Sequence, residues 1–375
     1  MNSLGNLKGL IERYNQDIEF YRSTRYNETQ LRTDFIDQFF AILGWDITNV
    51  TRKSTHEREV LVEEGIRFKS NENTKKPDYT FRLFSERKFF VEAKKPSVHI
   101  DIDPEPAKQV RRYGFTAKLK ISVLTNFEYI AIYDCSNPVS ESDLASTSRI
   151  KLYHYTELVD NFDEIKKLIG RESVYSGQFE TEWSDIESKI SRFSVDDLFL
   201  QQINNWRVML ANDFISIKPE LNEEQLNDLT QDYINSIVFL RVCEDRELED
   251  YETLYHFAKN KDFKSLVDKL KFSDKKYNSG LFSLSYINQL INNQESYIWT
   301  IIEQLYFPQS TYSFSVFSSD ILGNIYEVFL SEKIRLNQYG KIEIKPKAEH
   351  LDRDVVTTPT HIIKEIIRNT VIEFC

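Results

Sequence analysis

The sequence predicts a mixed α/β domain on a central sheet, followed by an all-α domain and the opening of a third domain. Three observations carry this. From Leu4 to Leu43 apolar residues recur at helical spacing. From Asp46 to Ile132 short β-branched and aromatic runs take over, interrupted by one helical stretch. Beyond about Glu172 strand signals nearly vanish. At 375 residues the chain has room for two or three domains of roughly 100–200 residues each.

In order, Leu4 to Ser23 reads as an amphipathic helix. A second helix starts near Asn27, carries Leu31, Phe35, Phe39 and Leu43 on one face, and is stopped by Gly44. The runs VLVEEGIRF, DYTFRLF, KFFVEAK, KISVLTN and YIAIYD read as strands, with a helix from Pro106 to Leu119 between the third and fourth. The Ser-rich stretch Ser136 to Arg149 reads as a surface loop, and IKLYHYTEL and FDEIKKLIG close a first domain, 1–170. RESVYSGQFETEW reads as a polar connector. WSDIESKISRF, VDDLFLQQINNWRVMLAND, NEEQLNDLTQDYINSIVFLRVCEDREL and ESYIWTIIEQLYF then predict a helical second domain, 171–317, with Leu226, Leu229, Tyr233, Ile237 and Leu240 as core. Residues 318–375 carry ILGNIYEVFLSEKI and THIIKEIIRNTVIEFC; the latter reads as an apolar helix ending without a cap, the mark of a truncated third domain.

Composition excludes several functions. No apolar run approaches the roughly 18 residues of a membrane span, and MNSLGNLKGLIERYNQD has no apolar stretch behind a basic start. Cys135, Cys243 and Cys375 are too few and scattered for a disulfide framework or structural zinc, so a reducing cytoplasm is expected. The net charge of −11 speaks against nucleic acid. However, Thr51 to Thr125 holds 17 Lys and Arg against 11 Asp and Glu, an island of +6 where an anionic ligand would sit.

Within that island, DYTFRLF and KFFVEAK read as a hairpin. A turn centred on Glu86 sets Asp78 opposite Lys94 and near Glu92, with directly opposed side chains about 5 Å apart. Glu92 and Lys94, two apart, share a strand face. Two carboxylates and an amine together can hold Mg²⁺ and position water for attack on a phosphodiester; the plainer alternative is a cross-strand salt bridge. Glu28 falls on the buried face of the second helix, where an acid needs a charged partner or is satisfied as an acid near the N-cap. Gln109 and Tyr113 lie one turn apart on the helix after the EAK strand. Lys108, Arg111 and Arg112 on that helix read as a grip on phosphate; for Arg111 and Arg112 the alternative is a solvated face.

These residues carry a resemblance. Pro77-Asp78, Glu92-Ala93-Lys94 and Gln109 to Tyr113 resemble the PD-(D/E)XK nuclease fold with its Q-x-x-x-Y motif, and Glu28 matches that fold's acid on the first helix. The wider chain is similar to the front half of type IIG restriction-modification enzymes, single chains that fuse an endonuclease to an adenine-specific DNA methyltransferase. The similarity runs through NETQLRTDFIDQFFAILGWDITN, SIVFLRVCEDREL and ILGNIYEVFL. The resemblance implies that Asp78 and Glu92 ligate Mg²⁺, that Lys94 activates or orients water, and that Glu28, Gln109 and Tyr113 support the site. Double-stranded DNA is the implied partner, with methyltransferase and target-recognition domains downstream.

Val356-Thr357-Thr358-Pro359 resembles the segment that opens such a methyltransferase domain, which implies that Thr358 and Pro359 contact S-adenosyl-L-methionine. Thr357 replaces the aromatic residue usual there, and Thr358 as N-cap with Pro359 at the first helical position explains the pair without a ligand. The sequence contains no Gly-rich cofactor loop and no Asn- or Asp-Pro-Pro-aromatic tetrad, so methylation is expected only of a full-length protein. The absence of G-x-x-x-x-G-K-[ST] counts against an ATP-driven subunit. The helical domain is then expected to act as a connector, with Arg241, Glu244, Asp245 and Arg246 in structural ion pairs. The alternatives are a DNA-binding module with a silent nuclease site and a scaffold without DNA activity.

Overall fold

A computed structural model describes residues 3–55, 57–62, 76–186, 195–278, 282, 295–317, 332–337 and 340–346. The chain divides into two compact units. The first comprises 1–195, 245–248 and 307–316; the second comprises 196–244, 249–306 and 317–375.

The first unit begins with helix α1 (Ser3–Gln16) and a short α2 (Ile18–Tyr21), so the single expected helix is broken at Asp17. The next helix starts where its cap chemistry directs. The Asn27 side chain accepts the Gln30 N–H and the Gln30 side chain returns the bond to the Asn27 N–H, a capping box that launches α3 (Glu28–Leu31). The helix widens into a π turn over Arg32–Ile36 and continues as α4 (Asp37–Ile42). Gly44, at φ +98°, ends it, as expected. Leu31, Phe35, Phe39 and Leu43 are all buried.

Six strands form one sheet in sequential order: β1 (Val60–Val62), β2 (Tyr79–Leu83), β3 (Glu86–Ala93), β4 (Ile121–Thr125), β5 (Tyr129–Asp134) and β6 (Arg149–His154). Only β3 and β4 run parallel, joined by α5 (Pro104–Thr116), which is capped by Asp103 and opened by Pro104. Of the run VLVEEGIRF, only Val60–Val62 is described as strand; the remainder lies outside the described residues. Alternation along β3 sorts the two faces. Phe89, Val91 and Ala93 join Phe81, Val123 and the apolar faces of α1, α3 and α4 in the main core. Phe90 faces Tyr113 and Leu119 on the α5 side, where Val110 packs on Leu124 and Ala131.

The hairpin register differs from the expected one. Tyr79 pairs with Val91, Thr80 with Phe90 and Phe81 with Phe89, and a bulge follows Phe81, so Leu83 meets Glu86 across a turn at Phe84-Ser85. Phe84 takes φ +54° there. Extending the ladder sets Asp78 beside Glu92 rather than Lys94. The offset is two residues, and because side chains alternate with period two, the faces are unchanged.

The stretch expected as a polar connector folds as α7 (Arg171–Tyr175) and α8 (Gln178–Glu182) after α6 (Phe162–Ile169). Its Val174, Phe179 and Trp183 enter the main core, which explains why the segment folds back. The second unit holds α9 (Val195–Ile217), α10 (Glu223–Asp245), α11 (Thr253–Asn260), α12 (Phe263–Tyr277) and α13 (Tyr297–Glu303). It also holds an unanticipated hairpin of β7 (Glu332–Leu336) with β8 (Ile342–Pro346). The expected core residues Leu226, Leu229, Tyr233, Ile237 and Leu240 are buried. Arg241 pairs with Glu244 at 3.8 Å and donates to the Leu305 carbonyl at 3.1 Å, the structural role expected of it. Most of WSDIESKISRF and ILGNIYEVFLSEKI, and all of THIIKEIIRNTVIEFC, lie outside the described residues. Among the described residues no helix is long and apolar enough to cross a membrane.

Candidate active site

Residues from β3, the entry to β2, α3 and α5 act on one another at the C-terminal end of β3. Asp78 is fixed by the strand beside it: the Ala93 N–H donates to its Oδ2 at 2.7 Å, and Arg32 Nη1 approaches Oδ1 at 3.2 Å. Lys94 Nζ lies 2.6 Å from Glu92 Oε1. The chain holds Lys94 there by continuing the ladder, its N–H donating to the Thr125 carbonyl at 2.9 Å. Glu92 is buried, and its Oε2 has no hydrogen-bond partner.

Charge is costly in this setting, and each group's proton affinity shows how that cost is shared. Burial, then the neighbouring Asp78, push the Glu92 carboxyl well above the usual carboxylate range, against the pull of Lys94. Burial also raises Asp78, opposed by Arg32, the Ala93 N–H and Lys94. Glu28, half-buried at the start of α3, is raised by burial and by Asp78 against Lys94, Arg32 and Lys95. Burial works against the Lys94 ammonium, but Glu92, Glu28 and Asp78 outweigh it, so Lys94 stays charged. From α5, Gln109 Nε2 donates to the Tyr113 hydroxyl at 3.1 Å. Burial and the Glu92 charge keep that buried hydroxyl protonated.

The structure thus brings Glu28, Asp78, Glu92, Lys94 and the Gln109–Tyr113 pair together. It does not bring the expected phosphate grip. Arg111 is buried and pairs with Asp143 at 2.7 Å, while Lys108 bonds Glu105 Oε1 at 3.0 Å and the Glu141 carbonyl at 2.6 Å. Both are tied to the loop after β5, away from a phosphate grip, and Arg111 is not on a solvated face. At about 100° per residue, Arg111 sits roughly 160° around α5 from Tyr113, on the side that the loop covers. Arg112 stacks over the Phe307 ring at 4.7 Å, with its Nε buried and lacking a hydrogen-bond partner. Thr358 and Pro359 lie outside the described residues.

Several further cations of the basic island are committed to internal pairs: Lys53 with Glu59 at 2.6 Å, Lys88 with Glu180 at 2.8 Å, and Lys120 with Glu180. A count of charges along the sequence does not register such pairing. Among the described residues, no three or more His, Cys, Asp or Glu side chains gather as a metal-ligand set.

Sequence reasoning missed Arg32, Tyr79 and Asp37. Arg32 Nε donates to the Tyr79 hydroxyl at 3.3 Å, and that hydroxyl donates to Asp37 Oδ1 at 2.7 Å. The available signal was spacing: Arg32 follows Glu28 by four, one helical turn along the same face.

A sequentially ordered mixed sheet flanked by helices, with two buried acids and a lysine at the end of its parallel strand pair, is an architecture compatible with an α/β nuclease domain. Over all 375 residues the chain is 74% identical to the type II restriction enzyme and methyltransferase RM.Eco57I of Escherichia coli. The chain spans 38% of that relative's length, its N-terminal part, as the resemblance read from the motifs anticipated. No protein-family model matches the chain, and no solved structure does.

Proposed function

We propose that the first unit is a Mg²⁺-dependent DNA endonuclease domain of the PD-(D/E)XK kind, within a restriction-modification enzyme that also methylates adenine. The observation that carries this reading is the convergence of Asp78, Glu92 and Lys94 in a chain 74% identical to a restriction enzyme and methyltransferase. The donor set fits a hard divalent cation. Two neighbouring carboxylates are raised by burial, and Glu92 Oε2 is a buried acceptor with no partner, an arrangement whose cost a cation would offset.

Asp78 and Glu92 would hold the ion. When bound, Mg²⁺ neutralises phosphate charge and lowers the pKa of water. Lys94, beside Glu92, Glu28 and Asp78, would activate or orient the attacking water and meet developing negative charge. Glu28 adds one of the charges that keep Lys94 ionised. The Gln109–Tyr113 pair backs Glu92 from α5 with a hydroxyl that stays protonated. In this reading the helices of the second unit connect the nuclease to domains further along. S-adenosyl-L-methionine binds only in the full-length protein, which works in the cytoplasm on double-stranded DNA.

The test is cleavage of plasmid DNA by the full-length natural protein with Mg²⁺. Asp78→Ala and Lys94→Ala should each slow cleavage by at least about a hundredfold; equal cleavage by wild type and Asp78→Ala overturns the assignment. The pairing of both acids with cations, Arg32 on Asp78 and Lys94 on Glu92, favours a second reading, a DNA-binding module whose nuclease site is silent. That reading predicts mobility shifts that weaken steeply with salt and no cleavage with any divalent ion.

A further inference from the structure

Asp78 already has a cation on it. Arg32 Nη1 approaches Asp78 Oδ1 at 3.2 Å, and both side chains are about nine-tenths buried. The contact is built, because Arg32 is held from a second direction: Nε donates to the Tyr79 hydroxyl at 3.3 Å and the guanidinium lies 5.0 Å over the Tyr79 ring. Tyr79 is itself fixed by its 2.7 Å bond to Asp37 Oδ1. The π turn that begins at Arg32 belongs to the same helix that presents Glu28. The electrostatic neighbours of Asp78 in this cluster are the carboxyls of Glu28 and Glu92 and the cations Arg32 and Lys94. A divalent cation arriving at Asp78 therefore meets a guanidinium already seated on one of its ligands.

We propose that Arg32 is a resident counter-ion that stands in for the divalent cation on Asp78, so that the protein without DNA binds divalent metal weakly and Arg32 must yield Oδ1 when metal enters. This deepens the nuclease reading and rests on it. Removing the guanidinium charge takes away a cation that repels the arriving metal, and at an effective dielectric near 20 one unit charge within a few ångströms changes divalent affinity by at least about tenfold. The sign separates this role from that of a residue that merely orients Asp78, whose loss would weaken metal binding.

The experiment is calorimetric titration of Mn²⁺ into the full-length, DNA-free protein: wild type, Arg32→Met, Arg32→Gln, Arg32→Lys and Asp78→Asn. Arg32→Gln is the safeguard for folding, since its amide can still bond Asp78 and Tyr79 without charge. Both neutral variants should bind Mn²⁺ at least about tenfold more tightly than wild type, Arg32→Lys should stay near wild type, and Asp78→Asn should abolish the binding. Unchanged or weaker affinity in Arg32→Gln, while Asp78→Asn still abolishes binding, overturns the counter-ion and leaves the metal site standing. Absence of any Asp78-dependent binding in all the variants overturns both.

Discussion

At the scale of single residues, the acids of this protein fall into two kinds, and the partner each has decides which. Glu59 is fully buried yet strongly acidic: burial alone would raise its carboxyl, but bonds from Arg171, Lys53, the Asp46 N–H and Tyr175 outweigh burial and hold it down to about 2. A carboxyl depressed by folding contributes stability above its unfolded value of about 4.3 and loses that contribution as pH falls toward 2. Unfolding midpoints in denaturant, measured from pH 7 to pH 2.5, should therefore drop more for wild type than for Glu59→Gln. At pH 7, Glu59→Gln should cost roughly 2–3 kcal/mol, below the range for a fully buried pair because Arg171 and Lys53 are partly exposed. Asp78 and Glu92 are the opposite kind, with proton affinity raised because their cations do not offset burial. Asp78, Glu92 and Lys94 were legible in the sequence because strand alternation places residues two apart on one face. Arg32 was less so, because its partner lies 46 positions away.

At the scale of elements, local chemistry was readable and register was not. The stop at Gly44 was read from the sequence and the structure uses it, and the start near Asn27 is fixed by a local capping box; α5 opens at Pro104, two residues before the expected Pro106, and ends at Thr116 rather than Leu119. The hairpin register moved by two residues, with the turn at Phe84-Ser85 and a bulge after Phe81, which no local signal revealed. The seat of α5 on the sheet depends on Gly114. A Cβ there would stand 2.5 Å from Ser122 Oγ and 2.9 Å from Cys135 Cβ, and closer still to Cys135 Sγ. Gly114→Ala should therefore destabilise the protein by about 1–3 kcal/mol through overpacking, read by thermal denaturation. Cys135→Ala should recover part of the loss, and full stability of Gly114→Ala alone would show that α5 can shift without cost. Such a shift also carries Tyr113 and Gln109 with it, so cleavage should fall in the same variant.

For the whole molecule, the net charge of −11 describes an average over ion pairs. The basic island survives as composition, yet Lys53, Lys88, Lys94, Lys108, Arg111 and Lys120 each face a carboxylate. If cleavage and methylation occupy separate parts of a longer protein, Asp78→Ala should abolish cutting while adenine methylation by the full-length protein stays within about twofold, as distant sites behave additively. Methylation lost together with cleavage would show that the two activities share residues.

The sequence by itself determined the helix stop at Gly44, the alternation of β3, the core stripes of α3, α4 and α10, and the acid–acid–lysine motif. All of these follow from neighbours within a few positions, where 3.6- and 2-residue periodicities act. Only the tertiary structure decided that Arg32 sits on Asp78, that Arg111 and Lys108 turn to the loop after β5, and that Val174, Phe179 and Trp183 belong to the first unit's core. Those outcomes depend on which distant charges and apolar surfaces packing brings within a few ångströms, and no local periodicity encodes that distance.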